Sequence, residues 1–223
     1  MFTLLFVAFL LTDIAVRLWL ATRQIRHVVR NRDQVPAEFS HRIGLSSHQR
    51  AADYTVARVK LGMLERTYDA ILLVCLTLMG GLQFIDLLVG QLTSNDFLRQ
   101  MLLLVAVALL LGVLGLPFTL WRQFKLEARF GFNRMTPELF IADTAKGLLV
   151  AAVLGLPLAA AVLWLMGSAG AYWWIWAWAL WTVFNLALLI VYPMFIAPLF
   201  NKFTPLSDPC LLYTSPSPRD RQK

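Results

Sequence analysis

Charge is scarce in this sequence. Only 15% of its 223 residues are charged, against about 25% in an ordinary soluble domain. With 59% apolar residues, the composition argues against both an average soluble domain and a disordered chain. Cysteine is nearly absent. Cys75 lies in an apolar run and Cys210 in a polar tail, so no disulfide is predicted between them. Histidine occurs only at His27, His41 and His48. No two are spaced i, i+4, so no helix offers two imidazoles to one zinc, and all three read as surface residues of a basic loop. His-Glu-x-x-His, G-x-S-x-G and the P-loop are missing too. The sequence therefore yields no catalytic, cofactor-binding or metal-binding residue. It also lacks sustained apolar–polar alternation, which argues against a transmembrane β-barrel.

Long apolar runs are what the sequence has in abundance. The first is Met1 to Leu20, interrupted by Asp13 and Arg17, whose i, i+4 spacing allows an ion pair on one helix face. No Lys or Arg precedes that run, as a cleaved signal peptide would need, so it reads as a retained span. A second run covers Ala70 to Leu92, and a third, Gln100 to Trp121, has no charge for 22 residues. From Gly147 to Asn201 there are 55 uncharged positions, enough for two spans at about 20 residues each. Gly167-Ser168-Ala169-Gly170 supplies the turn between them. The fold expected is all-α, a polytopic membrane bundle of about five transmembrane helices over 1–20, 68–92, 98–121, 145–166 and 171–200.

The net charge of +7 comes from two segments, Ala21 to Arg66 with +5 and Arg122 to Lys146 with +2. Both flank apolar runs. The Lys and Arg counts after helices one to four read nine, one, five and none. By the positive-inside bias, the first and third loops are cytoplasmic, the N-terminus is outside and the chain leaves helix five in the cytoplasm. No basic stripe with interleaved stacking aromatics stands on a soluble fold, so no nucleic-acid partner is expected. The partner implied is the lipid bilayer.

Local signals refine the loops. Ser46 to Gln49 fits a capping box with Ser46 as N-cap. It opens an amphipathic helix through Arg66 that runs into helix two. Thr136-Pro137 reads as an N-cap followed by proline at the first helical position. Pro117, Pro157 and Pro193 lie within spans and Pro198 at the end of one. Each favours a kink, read either as a bundle enclosing a chamber or as the ordinary tolerance of spanning helices for proline. Tyr172, Trp173, Trp174, Trp176, Trp178 and Trp181 crowd the start of helix five; an interfacial belt explains the first three, and ligand stacking is the alternative reading for the deeper ones. Among charges near spans, Asp69, Asp143 and Lys146 sit at predicted ends, with Asp143 and Lys146 spaced to pair. Asp86 is the one carboxylate read as deep, the alternative being that the span stops short of it.

Two segments carry a resemblance. The first runs from Leu116-Pro117-Phe118 through Phe124, Glu127, Phe130-Gly131-Phe132-Asn133-Arg134, Thr136, Phe140, Asp143 and Lys146. The second is Tyr192-Pro193-Met194-Phe195-Ile196-Ala197-Pro198-Leu199-Phe200-Asn201-Lys202-Phe203-Thr204-Pro205-Leu206. Together they resemble the N-terminal membrane domain of the M48 zinc metallopeptidases, in the CAAX prenyl protease 1 (Ste24-like) branch. The resemblance runs from about residue 20 to residue 206. It implies a helical membrane protein around an intramembrane chamber, with zinc held by two histidines of His-Glu-x-x-His and a downstream glutamate. It also implies protein or peptide substrates, prenylated ones in eukaryotic members, and membrane quality control in bacterial ones. In that family the zinc motif follows the second segment. This chain has 17 residues after Leu206 and no such motif.

The reading of the chain is thus an N-terminal transmembrane domain over 1–206, inactive by itself, with zinc expected only in the full-length protein. A bacterial inner membrane is expected, or an ER-type membrane if the source is eukaryotic. A non-enzymatic multi-pass scaffold and a small transporter are the alternatives. Residues 207–223 read as a non-native or disordered tail. Cys210 to Asp220 can be written in codons that look like a transposon-based sequencing-library adapter.

Overall fold

The computed structural model describes residues 1–36 and 43–201. His41 and the 207–223 tail, with Cys210, lie outside the described residues. The described residues are helical, without a strand. They divide into two compact units, one ending at Pro137 and one beginning at Glu138.

In the first unit α1 spans Phe2–Arg30, α2 Leu45–Thr77, α3 Gly81–Gly90 and α4 Asp96–Leu120. α4 continues through a π-helical stretch, Trp121–Glu127, into a last α-turn at Ala128–Phe130. In the second unit α5 spans Pro137–Ser168, beginning at the proline that follows Thr136. α6 spans Trp173–Val191 and continues through a π-turn at Tyr192–Ile196 to Ala197–Phe200. Pro193 lies inside that π-turn and Pro117 shortly before the other. Proline lacks an N–H and breaks the i→i−4 ladder, and π-turns are one way a helix absorbs such a break. Pro157 sits in α5 without interrupting it.

Among the described residues, four helices are long and apolar enough to cross a membrane. α2 and α3, bent by 55° at their junction, make a fifth when taken together. Glycine chemistry sets this bend. Gly80 has φ 82°, the left-handed region. A Cβ on Gly81 would stand 2.9 Å from the Cys75 carbonyl oxygen.

The helices exceed the apolar runs. α1 reaches Arg30, ten residues past Leu20, because its polar second half packs antiparallel on α2. α2 starts at Leu45 with Gly44 as N-cap, which corrects the placement of the cap at Ser46. All the charges of α2 lie in its first 25 residues, up to Asp69, leaving Ala70–Thr77 and α3 for the apolar span.

Small side chains carry the α1–α2 seam: Ala21, Ala52 and Ala70 are buried there, letting the backbones approach closely. Large apolar residues face outward instead. Phe9 on α1, Val113 on α4 and Trp178 on α6 are each more than half exposed, the arrangement expected where the solvent is lipid.

Candidate functional site

The first resembling segment closes α4 back onto α2. Glu127 accepts the Phe132 N–H at 2.9 Å and Ala128 accepts the Gly131 N–H at 3.1 Å. This is the paired geometry of a Schellman C-cap, with glycine at the left-handed position, φ 80°. Gly131 therefore ends the helix, and Phe132, though more than half exposed, is brought against α2. The Tyr54 ring of α2 meets Phe130 at 5.3 Å and Phe132 at 5.0 Å, edge-on to both. The Asn133 side-chain oxygen accepts from Gln123 Nε2 at 3.0 Å and from the Met135 N–H at 2.8 Å. The Gly-Phe-Asn sequence thus has three jobs: to stop the helix, to dock on α2, and to tie the loop to the π-helical stretch.

Charged groups line the same end of this unit. Arg122, the second residue of the π-stretch, forms an ion pair with Glu65 of α2. Arg17 donates from Nε to Asp13 at 2.6 Å, the i, i+4 pair anticipated from spacing. Arg17, Glu65, Arg66 and Arg122 border one cleft of 550 Å³. Nearby, Arg32 reaches Asp53 of α2 through two hydrogen bonds of 2.8 and 2.9 Å. The hydrogen bond from Arg32 holds the Asp53 carboxyl below its usual value, opposed by partial desolvation.

At the other end, Asp86 of α3 does not stand alone. Arg99, in the first turn of α4, donates to it from Nε at 2.8 Å, and the pair is only partly buried. Its partner, 13 residues on, lies beyond any helical spacing rule. Asn95 caps α4 by accepting the Leu98 N–H at 3.0 Å. Asp69 borders a smaller cleft of 240 Å³ with Asp13.

In the second unit the two resembling segments touch. Lys146 Nζ lies 3.4 Å from Asp143 and 3.1 Å from the Leu199 carbonyl oxygen. Trp174, Trp178 and Trp181 are each more than half exposed on α6, and Trp181 meets Phe184 at 6.2 Å.

His27 and His48, far apart in sequence, border a common 740 Å³ cleft. His48 Nε2 lies 3.1 Å from the Asn31 carbonyl oxygen. Cys75 is half-buried, with its sulfur 3.8 Å from that of Met79. Among the described residues, no group of three or more His, Cys, Asp or Glu is placed to hold a metal ion. The donors present therefore do not fit the zinc that the resemblance implies.

The sequence model described as CAAX prenyl protease N-terminal, five membrane helices, matches residues 24–202. The chain belongs to this family. Its four long apolar helices and one bent pair agree with the five membrane helices of the CAAX prenyl protease N-terminal description. A CAAX prenyl protease 1 homolog of Mus musculus is 30% identical over 214 residues, covering 92% of this chain and 45% of the mouse protein. One from Arabidopsis thaliana is 40% identical over 115 residues, covering 52% of this chain and 27% of the plant protein. The crystal structure of S. mikatae Ste24p shares the fold, with a TM-score of 0.82 at 23% identity over 90% of this chain and 48% of that one. This CAAX prenyl protease N-terminal chain spans about half the length of the mouse protein and of the solved structure.

Proposed function

We propose that this chain is the chamber-forming, membrane-embedded portion of a zinc-dependent integral-membrane endopeptidase. The observation that carries the proposal is the family match over 24–202, which includes the first resembling segment and the second as far as Lys202. The zinc and the water-activating glutamate would come from sequence outside this chain. The substrates would be proteins or peptides reaching the site from the bilayer, prenylated ones being the class that the relatives' name, CAAX prenyl protease 1, suggests. By its loop charges the N-terminus lies outside and the chain leaves the last helix in the cytoplasm, in a bacterial inner membrane or an ER-type membrane. Residues 207–223 are proposed to be foreign to the natural protein.

In this account the chain's own residues shape and position. Gly131, Phe132 and Asn133 fix the loop after α4. Lys146 secures the end of α6. The apolar outer faces hold the bundle in lipid. The test is to purify the chain as written and measure zinc and hydrolysis of a prenylated peptide. Neither stoichiometric zinc nor cleavage is expected, and chelator-sensitive zinc at one equivalent per chain contradicts the proposal.

A further inference from the structure

The 550 Å³ cleft of the first unit collects four arginines, three at one level and Arg58 about 12 Å further along α2. Arg17 of α1, Arg58 and Arg66 of α2, and Arg122 beyond α4 all border it, with Glu65 as the one carboxylate among its lining residues. Their positions along the chain explain the level. On α1, Arg17 and its partner Asp13 follow a charge-free stretch from Met1 to Thr12. On α2, Arg66 lies three residues before Asp69, after which the chain is uncharged as far as Ile85. On α4, Arg122 is the first charge after Gln100 to Trp121. Three helices thus pass from uncharged to charged at the rim of one cleft, as helices do at a bilayer's headgroup layer.

The pairing is incomplete. Arg122 is held by Glu65 and Arg17 by Asp13. Arg58 and Arg66 form no ion pair with any described residue. Although Arg66 also borders the cleft that holds Asp13 and Asp69, it pairs with neither. Two guanidinium groups therefore face the 550 Å³ cleft without a carboxylate partner. Leu20 and Met63 also line it, giving an apolar wall beside the charged rim.

A charged rim with an apolar wall, at the depth of the headgroups, matches an amphiphilic anion. We propose that this cleft binds the headgroup phosphate of an anionic phospholipid, with Arg58 and Arg66 supplying its charge and the Leu20–Met63 wall receiving the start of an acyl chain. Arg122 and Arg17, already neutralised, frame the site. Guanidinium groups suit this task because their forked donors match phosphate oxygens. The proposal is independent of the zinc chemistry and stands or falls apart from it.

The test uses the full chain in mild detergent, titrated with phosphatidylglycerol and with phosphatidylcholine, bound lipid being counted by native mass spectrometry. The expected result is at least tenfold preference for phosphatidylglycerol. R58Q/R66Q is expected to bind it about thirtyfold more weakly, at roughly 1 kcal/mol for each basic residue near an anionic headgroup. R58K/R66K, which keeps the charge but loses the forked donors, is expected to bind between the parent and R58Q/R66Q. R26Q/R30Q, which loses the same charge away from the cleft, leaves binding unchanged. Equal retention of the two lipids by the parent chain overturns the proposal, whether or not R58Q/R66Q folds. An equal loss in R26Q/R30Q also overturns it, by reducing the effect to net charge. Displacement of the lipid by equimolar inorganic phosphate would mark a free-anion site instead. Displacement by a peptide with a free C-terminal carboxylate would mark a substrate site.

Discussion

Lys146 Nζ stands 3.1 Å from the carbonyl oxygen of Leu199, 53 residues along the chain. The last carbonyls of a helix have no partner within it and carry partial negative charge. A lysine brought to them from α5 satisfies one of these groups and ties the end of the last span to the start of the previous one. Asp143, 3.4 Å from the same ammonium, keeps it oriented. Replacing Lys146 by Met is expected to loosen the Ala197–Phe200 turn by about 1 kcal/mol. Hydrogen exchange should show it as faster exchange confined to that turn, and exchange unchanged there contradicts it.

Arg122 and Glu65 are joined across 57 residues and bind the π-helical stretch to α2. Both side chains are partly exposed, so the pair is worth about 1 kcal/mol. A double-mutant cycle with R122A and E65A, read by unfolding in detergent, should return that coupling. Strict additivity would show that this ion pair does not hold the π-stretch to α2.

Gly131 ends the α4 extension at φ 80°. An alanine there would need a conformation that costs L-residues roughly 1–2 kcal/mol. G131A is expected to destabilise by that amount and to increase exchange at Phe132. N133A should cost about 1 kcal/mol as well, because the Met135 N–H and Gln123 both lose their acceptor. Thermal unfolding of the two variants checks both figures, and a neutral G131A would contradict the capping role.

Asp53 and Arg32 give the structure a pH-dependent tie in the polar half of α2. The Asp53 carboxyl is held below its usual value by the Arg32 hydrogen bond. Its contribution is therefore complete above the pKa of an unfolded aspartate, about 4, and is lost as pH falls through the depressed folded value. The parent chain should be more stable than D53N at neutral pH, and the two should converge in acid. A constant difference down to pH 2 would contradict this.

The spans were legible because lipid leaves a plain trace in sequence: a helix that meets hydrocarbon on its outer faces carries no charge for about 20 residues. The i, i+4 pair of Asp13 and Arg17 and the i, i+3 pair of Asp143 and Lys146 were legible for a similar reason, since helix geometry alone fixes them. The extension of α1 to Arg30 was not, because its polar half is held by packing on α2 rather than by its own pattern. Arg99 as the partner of Asp86, Tyr54 as the platform for Phe130 and Phe132, and the clustering of Arg58 and Arg66 with Arg17 and Arg122 all depend on how separate helices meet. Ser46 carried a proper capping sequence, yet the cap is Gly44 and the helix begins two residues earlier than that sequence predicts. Gly44 and Leu45 supply the first turn, as happens at frayed helix ends.

The central claim is that this family member is the membrane portion of a larger zinc endopeptidase. It is tested most directly by reading the source DNA beyond the codon for Leu206. An in-frame His-Glu-x-x-His is expected downstream, with codons different from those of Cys210 to Asp220. A natural stop after Lys223, preceded in the genome by those same codons, would contradict it.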